Sequence, residues 1–436
     1  MSGIGVAGSE TRRPARELTW TPTFVAFLAY VCIMLTARLH VATAVMALGL
    51  MMLFLQREPL RVPKFLWLFA AWIAWASIGF LTTRYPDRVW DSITEHGKLV
   101  LVTLVAVNAL RTATQVRYFL LFVLVSYLLF PARSSLVGYV TGNTLFGRAI
   151  GPIPYENPND LAALTILMLG PAFAVWAGAA RGSLLRWVGL AGAAPLIVII
   201  VLTQSRGALV ALVAIALPSA VALARRRPRT VIAFTALLGL ALYLAPATFW
   251  TRMQGLGKAT SVATIGEMDP EGSARARFAV LQTATRMVQD HPMLGVGLGA
   301  YGLANAHYTP ALGNLDTHNT YLNILAETGF PGLALFLALV TSVLRYAHAA
   351  RRRAIRAFPA QSEMLRWLLF GLVGYLIAGL FGSYARLSFP YLFLALLWCA
   401  SRIVWAQCLP ASATQPPPGP IPNGSRRRWG DWSPIG

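Results

Sequence analysis

Residues 184–224 read LLRWVGLAGAAPLIVIIVLTQSRGALVALVAIALPSAVALA. As one straight helix rising ~1.5 Å per residue, this stretch would be roughly 60 Å long, about twice the hydrocarbon core of a bilayer. It has to fold back on itself. The polar break inside it is Gln204-Ser205-Arg206-Gly207, so Arg206 is expected at the tip of a tight hairpin at one membrane face. The whole chain shares this character. It is 56% hydrophobic and only 12% charged, where a soluble domain carries about a quarter charged residues. The composition puts it in the bilayer.

A membrane helix needs roughly 20 mostly apolar residues. The runs 20–37, 41–55, 65–82, 97–110, 117–138, 160–179, 184–204, 207–224, 230–249, 318–344, 366–383 and 388–406 are candidates. The second and fourth are short and must borrow flanking residues. About twelve spans place both termini on one side. With that side cytoplasmic, 24 of the 37 Lys and Arg residues face inward and 13 outward, the sense of the positive-inside rule. The net charge of +21 is then a topology signal, and no nucleic-acid partner is expected. The expected organisation is a cytoplasmic tail 1–19, an all-α integral membrane domain 20–408 carrying an outward insert 250–317, and a disordered cytoplasmic tail 409–436 rich in Pro, Gly, Ser and Arg. The first apolar run is followed at once by the second, with no small-residue cleavage site between them, and is expected to be a retained helix. Cys32, Cys399 and Cys408 all lie outside the insert, so no disulfide framework is available there.

Three hydrophilic stretches face outward: 83–96, 139–159 and 250–317. Within the last, Phe278, Leu281, Thr285 and Val288 recur at helical spacing and His291-Pro292 ends the pattern. One or two amphipathic helices over the mouth of the bundle are expected. Gly295-x-Gly297-x-Gly299 follows, but no strand–helix unit surrounds it, so it is no nucleotide fingerprint.

No Lys, Arg, Asp or Glu falls at the middle of an apolar run, Glu327 coming closest. Ion-coupled transporters keep ionisable groups near the midplane; here polar residues crowd the outer mouth. Arg206, Arg148, Arg275, Arg277 and Lys98 face outward against the charge bias, as an anion site would require. Guanidinium forks suit a pyrophosphate, which they bind bidentately. The bland alternative, snorkelling to lipid headgroups, fits poorly for an arginine pinned in a hairpin. The second group runs from Asp316 to Gly329. With Asp316 or Thr317 as N-cap, His318 falls in the first helical turn, where the positive helix end favours a neutral imidazole fit to act as a base. Asn319, Asn323 and Glu327 follow at four-residue spacing and make a polar stripe, which could equally serve helix packing. Asn159 opens the sixth helix within Tyr155-Glu156-Asn157-Pro158-Asn159-Asp160, where ordinary capping explains much. Asp269-Pro270-Glu271 has an acid-x-acid spacing but reads better as a solvated loop. No metal or other cofactor is expected.

Taken in order, Ser205-Arg206-Gly207, Arg277-Phe278, His291-Pro292-Met293-Leu294-Gly295-Val296-Gly297-Leu298-Gly299, His318-Asn319 and Ala326-Glu327-Thr328-Gly329 resemble the O-antigen ligase family. The wider superfamily holds O-antigen polymerases and bacterial O-linked oligosaccharyltransferases. The motifs span about 204–332, with Arg148 and Asn157-Pro158-Asn159 a looser match upstream; Leu281 stands where a tryptophan is expected. The resemblance implies an inner-membrane enzyme of the multi-helix (GT-C-like) glycosyltransferase class, with its insert and active site periplasmic. It would move a polysaccharide from undecaprenyl pyrophosphate to lipid A–core oligosaccharide without metal. A polymerase or protein O-oligosaccharyltransferase stays open, as does, from another class, an anion or lipid-linked-sugar transporter.

Overall fold

The computed structural model describes residues 19–36, 39–56, 58–152, 155–180, 182–224, 228–254 and 273–409. Most of both tails, and Asp269 and Glu271, lie outside the described residues. Apart from an isolated bridge between Leu145 and Arg148, the regular structure described is helical. The α-helices are α1 (Pro22–Leu35), α2 (Ala42–Leu55), α3 (Lys64–Ile78), α4 (Pro86–Ala109), α5 (Ala113–Tyr127), α6 (Arg133–Val140), α7 (Pro158–Gly178), α8 (Leu184–Leu202), α9 (Arg206–Ala224), α10 (Pro228–Tyr243), α11 (Ala247–Gln254), α12 (Ser273–Asp290), α13 (Tyr301–Tyr308), α14 (Thr320–Ala357), α15 (Pro359–Ala378) and α16 (Ser388–Gln407).

Each apolar run of the sequence coincides with a helix. Among the described residues, six helical stretches are long and apolar enough to cross a membrane: Lys64–Leu81, Ala113–Val140, Pro158–Gly178, Leu184–Leu202, Thr320–Ala357 and Ser388–Gln407. Three shorter apolar helices accompany them, Pro22–Leu35, Ala42–Leu55 and Arg206–Val221. The described residues are all-helical, and the chain is a multi-pass membrane protein. α8 and α9 form the hairpin that residues 184–224 demand, turning over Thr203, Gln204 and Ser205.

Local sequence sets the helix ends. The Thr21 hydroxyl accepts from Phe24 N at 3.3 Å ahead of Pro22. Thr112 and Gln115 form a capping box at α5, and Asn157 caps α7 ahead of Pro158; each satisfies donors that a helix start leaves open. α7 is the centre of the bundle and is buried along nearly its whole length. It packs against α15 with small residues facing, a Cβ on Gly371 lying 2.8 Å from Leu167 O, the close backbone approach by which helices associate in lipid. At one end of the bundle, residues of α5, α7, α8, α15 and α16 line a common crevice that includes Arg117 and Gln407. Nearby arginines stack on indoles, Arg353 over Trp405 at 4.5 Å and Arg366 over Trp367 at 4.9 Å.

Three details lie beyond a reading by apolar runs. α4 starts at Pro86, so most of the stretch 83–96 is helix: its acidic and basic residues sit on one side of an amphipathic turn, which an apolar-run reading discards. The run 117–138 is α5 joined to α6 through a π-helical turn, Leu128–Ala132, that absorbs Pro131. The run 318–344 is α14, which continues to Ala357 and breaks at Gly329 (φ 70°, ψ −176°) just before Pro331.

Candidate active site

The break in α14 organises one end of the bundle. An interrupted helix strands carbonyls, and here the loop after α12 claims them. Val296 N donates to Ala326 O at 2.9 Å and Gly297 N to Glu327 O at 3.1 Å, while the Trp75 indole donates to Thr328 O at 3.0 Å. A Cβ on Gly295 would lie 2.3 Å from the Glu327 carbonyl carbon, and one on Gly329 2.0 Å from Met293 O. Gly295, Gly297 and Gly299 all take positive φ. The glycine spacing is thus the clamp on a broken helix.

His318 is not in the first turn of α14. Asn319 is the N-cap, its Oδ1 accepting from Tyr321 N at 3.0 Å and Leu322 N at 3.1 Å. Asn outranks an upstream Thr or Asp whose geometry is taken: Thr317 Oγ is bonded to Asn319 O (3.0 Å) and Ser383 Oγ (2.8 Å) instead. His318 therefore precedes the cap, in left-handed backbone at φ 51°. Burial lowers its pKa first, then the positive charge of Arg277, with Asp316 opposing both. The side chain is half-buried and makes no hydrogen bond among the described residues. A non-glycine residue held left-handed costs about 1–3 kcal/mol and clusters at functional sites.

The arginines divide. Arg148 is buried and committed to the scaffold: Nε donates to Thr203 O at 2.8 Å and Nη2 to Asn159 Oδ1 at 2.9 Å. Asn159 Oδ1 also accepts from Ser205 Oγ at 2.8 Å, so Arg148 and Asn159 hold the hairpin tip that carries Arg206. Arg277, half-buried on α12, acts electrostatically on both His318 and Tyr384. The side chain of Arg275 lies outside the described residues. Lys98 is exposed on α4. The buried stripe of α12 is Val280, Thr283, Ala284, Met287 and Val288, with Thr285 exposed, a part-turn away from the stripe read in the sequence.

The turn between α15 and α16, residues 379–386, joins these pieces, and the sequence reading passed it over. Tyr384 OH donates to Asn159 O at 3.1 Å, Tyr384 N to Thr320 Oγ1 at 2.9 Å, and Thr320 N to Gly379 O at 2.7 Å. A Cβ on Gly207 would meet the Phe381 ring. Gly382-Ser383-Tyr384-Ala385-Arg386 is a polar break between apolar runs, the same signal that located Arg206. Beside it opens a polar cavity of about 420 Å³ that takes in Asn323 and Glu327 of the expected stripe, Asp316, and the unforeseen Arg88, Glu95, His96 and Arg386. Glu327 Oε1 accepts from Tyr301 N at 3.3 Å. Among the described residues, no three His, Cys, Asp or Glu side chains group as a metal ion requires.

Broken helix, glycine clamp, hairpin arginine and displaced histidine fall within one segment. Residues 191–337 match the O-antigen ligase family model. The resemblance carried by the motifs is borne out over that segment, which supports an O-antigen ligase- or polymerase-type function and glycosyltransferase-like chemistry. Arg206, Arg277, His318 and the Glu327–Gly329 break all lie inside the O-antigen ligase match; Arg148, Asn159 and the turn 379–386 bracket it from outside. No curated protein matches the chain.

Proposed function

We propose that this chain transfers an O-antigen polysaccharide from undecaprenyl pyrophosphate to lipid A–core oligosaccharide at the periplasmic face of the inner membrane. The observation that carries the reading is His318: an imidazole displaced from its helix, with its pKa lowered by burial and by the charge of Arg277, in the same family-matched segment as Arg206. An acceptor hydroxyl attacks the anomeric carbon, a carbon–oxygen bond to it forms, and the bond to the pyrophosphate oxygen breaks. His318 takes the hydroxyl proton. Pyrophosphate leaves with its charge held by Arg206 and Arg277, with no need of a metal ion, and single displacement inverts the anomeric carbon. Arg148 and Asn159 serve by positioning Arg206. An apolar crevice of about 150 Å³ between α7, α9, α10 and α15, lined by Phe173, Leu212, Ile215 and Leu238 among others, suits the polyprenyl chain of a donor arriving sideways through lipid.

In this reading twelve helices cross the membrane in a GT-C-like arrangement. The domain is 20–408, the tails 1–19 and 409–436 are cytoplasmic, and the insert 250–317 is periplasmic. Reporter fusions at Ala263 and at the carboxyl terminus should report opposite compartments. The deciding experiment is expression in a ligase-deficient strain. Wild-type protein should restore long-chain lipopolysaccharide, and folded His318→Ala protein should not while still retaining lipid donor. Failure of the wild type to extend the core refutes the ligase, and extension of undecaprenyl-linked repeats instead would make it a polymerase.

A further inference from the structure

Besides His318 and Gln204, the non-glycine residue held left-handed among the described residues is Phe146, at φ 52°. Gly147 follows at φ 70°. Leu145 and Arg148 close the pair into a two-residue turn, Leu145 N donating to Arg148 O at 3.0 Å and Arg148 N to Leu145 O at 3.1 Å. Positive φ at both central residues is the pattern of a type I′ turn, which favours Asn-Gly. This chain puts an aromatic ring where a small polar residue would relieve the backbone, and strain of that kind gathers where surroundings or function sustain it.

The protein itself does little to offset that strain. Phe146 is 74% exposed, and a Cβ on Gly147 would meet no atom within 4 Å. The turn stands clear of the bundle, yet its place is fixed. Gln204 Nε2 donates to Gly147 O at 3.0 Å, Arg148 Nε to Thr203 O at 2.8 Å and Ala149 N to Leu202 O at 3.0 Å. Phe146 is thus bonded, through its neighbours, to the tip of the α8–α9 hairpin that carries Arg206. The same bonds give its level. The turn follows the end of the stretch Ala113–Val140 and is tied to the last residue of Leu184–Leu202, so it lies where both spans leave the bilayer. Aromatic rings concentrate at this boundary. Val137 and Val140, in the last turn of α6, are 51% and 85% exposed, and Leu145 is 40% exposed, so apolar exposure continues from the span into the turn. Burying a phenyl ring among acyl chains returns about what the left-handed backbone costs.

We propose that the turn 145–148 is an interfacial anchor: Phe146 enters the leaflet on the side of Arg206 and holds the hairpin tip at the depth of the lipid phosphates. Its partner is the acyl region of that leaflet. Insertion stands on the geometry alone. The depth-setting role rests on the transferase reading, because its use is to keep Arg206 level with the pyrophosphate of a lipid-linked donor, which sits where a headgroup does. A polar tip would leave the hairpin free to ride outward into water.

The test uses the full chain in nanodiscs of phosphatidylethanolamine and phosphatidylglycerol. Cys32 and Cys408 are replaced by Ala, buried Cys399 is left in place, and a nitroxide is attached to Phe146→Cys or, separately, to Val140→Cys. Molecular oxygen concentrates in hydrocarbon and a nickel chelate in water, so their relaxation of the label reads its depth without turnover. Oxygen should dominate at both positions. Dominance of the nickel chelate at position 146 puts the ring in water, and shielding from both reagents puts it under protein; either overturns the anchor. Transfer assays then read the depth-setting role. Phe146→Asn suits the left-handed turn, so its thermal unfolding should match or exceed that of the wild type. Its donor KM should nevertheless rise about 10-fold at near-normal kcat, the scale of losing part of a buried ring. Phe146→Trp should keep the wild-type donor KM. An unchanged donor KM in Phe146→Asn, or an equal rise in Phe146→Trp, overturns that role. A lipid-exposed label in a chain that transfers nothing to any acceptor keeps the anchor and refutes the transferase.

Discussion

Gln204 and His318 occupy the same place relative to a helix. Each is left-handed, at φ 50° and 51°, and each is followed by one capping residue, Ser205 or Asn319, and then by the first residue of α9 or α14. The Ser205 hydroxyl accepts from Ala208 N at 3.4 Å, as Asn319 does from Tyr321 and Leu322. The side chains diverge. Gln204 is buried, and its Nε2 donates to Gly147 O and to Thr248 Oγ1, each at 3.0 Å. Its strain is offset by bonds that fasten the hairpin to two neighbouring segments. His318 has no such bonds among the described residues, so its strain is sustained by the surrounding turn, chiefly Thr317, Thr320 and the turn 379–386. One backbone device thus serves two purposes: at 204 it builds, at 318 it presents.

The sharpest way to break the comparison is kinetic. His318→Ala should lower transfer roughly 100- to 10,000-fold, the scale of a positioned proton acceptor, at near-normal donor binding. Gln204→Ala should instead lose apparent stability by about 1–3 kcal/mol, the scale for breaking up buried hydrogen bonds, with kcat per folded molecule within a few-fold of wild type. Steady-state kinetics paired with thermal unfolding decides it. A His318→Gln protein with near-normal turnover would reduce His318 to a positioning group.

The caps come next. Asn319→Ala and Ser205→Ala should each cost about 1 kcal/mol, the usual loss of an N-cap. Only the first should also depress kcat more than it depresses donor binding, because Asn319 is the residue next to His318 and its bonds to Tyr321 N and Leu322 N hold the turn that carries the imidazole. Equal kinetic effects from both would show that the two turns form one catalytic unit.

Smaller still is the glycine exchange, in which the signs should oppose. His318→Gly removes left-handed strain of roughly 1–2 kcal/mol against an added unfolded-state entropy of about 0.5–1 kcal/mol. A slight net stabilisation with lost transfer is expected. Gln204→Gly removes the same strain along with two hydrogen bonds and should be net destabilising. A destabilised His318→Gly protein would reveal a structural role for the imidazole.

What the sequence disclosed follows from the same contrast. The hairpin was legible because forty apolar residues cannot cross a bilayer once, and Arg206 was legible because only one polar break divides them. The polar stripe at Asn323 and Glu327 was legible because polar groups in an apolar helix demand a partner. The backbone sign of His318 was not, since a non-glycine residue is held left-handed by its surroundings and leaves no mark in composition. Gly329 with Pro331 is a breaking signal, but it was submerged in an apolar run that hydropathy treats as continuous. His96 was hidden for the related reason that a lone histidine on a polar turn looks like surface. The turn 379–386 carried the same signature as residues 204–207 and could have been read.

The smallest effect separates the two turns by titration. His318 is shifted downward by burial and next by Arg277, against Asp316, so its pKa lies below the ordinary value of ~6.5. A base must be unprotonated, so transfer should be complete above that pKa and fall as pH drops through it. Arg277→Gln removes a charge that lowers the value, and the acid limb of kcat should move to higher pH. Asp316→Asn removes a charge that raises it, and the limb should move lower. Arg277 also holds donor phosphate in this reading, so the height of the profile will fall; the position of the limb is the readout. Variants at Gln204 carry no titrating group and should leave the limb in place. If the Arg277 and Asp316 variants shift it in the same direction, or neither shifts it, the group that titrates is not His318, and the base must be sought among the carboxylates of the adjoining cavity.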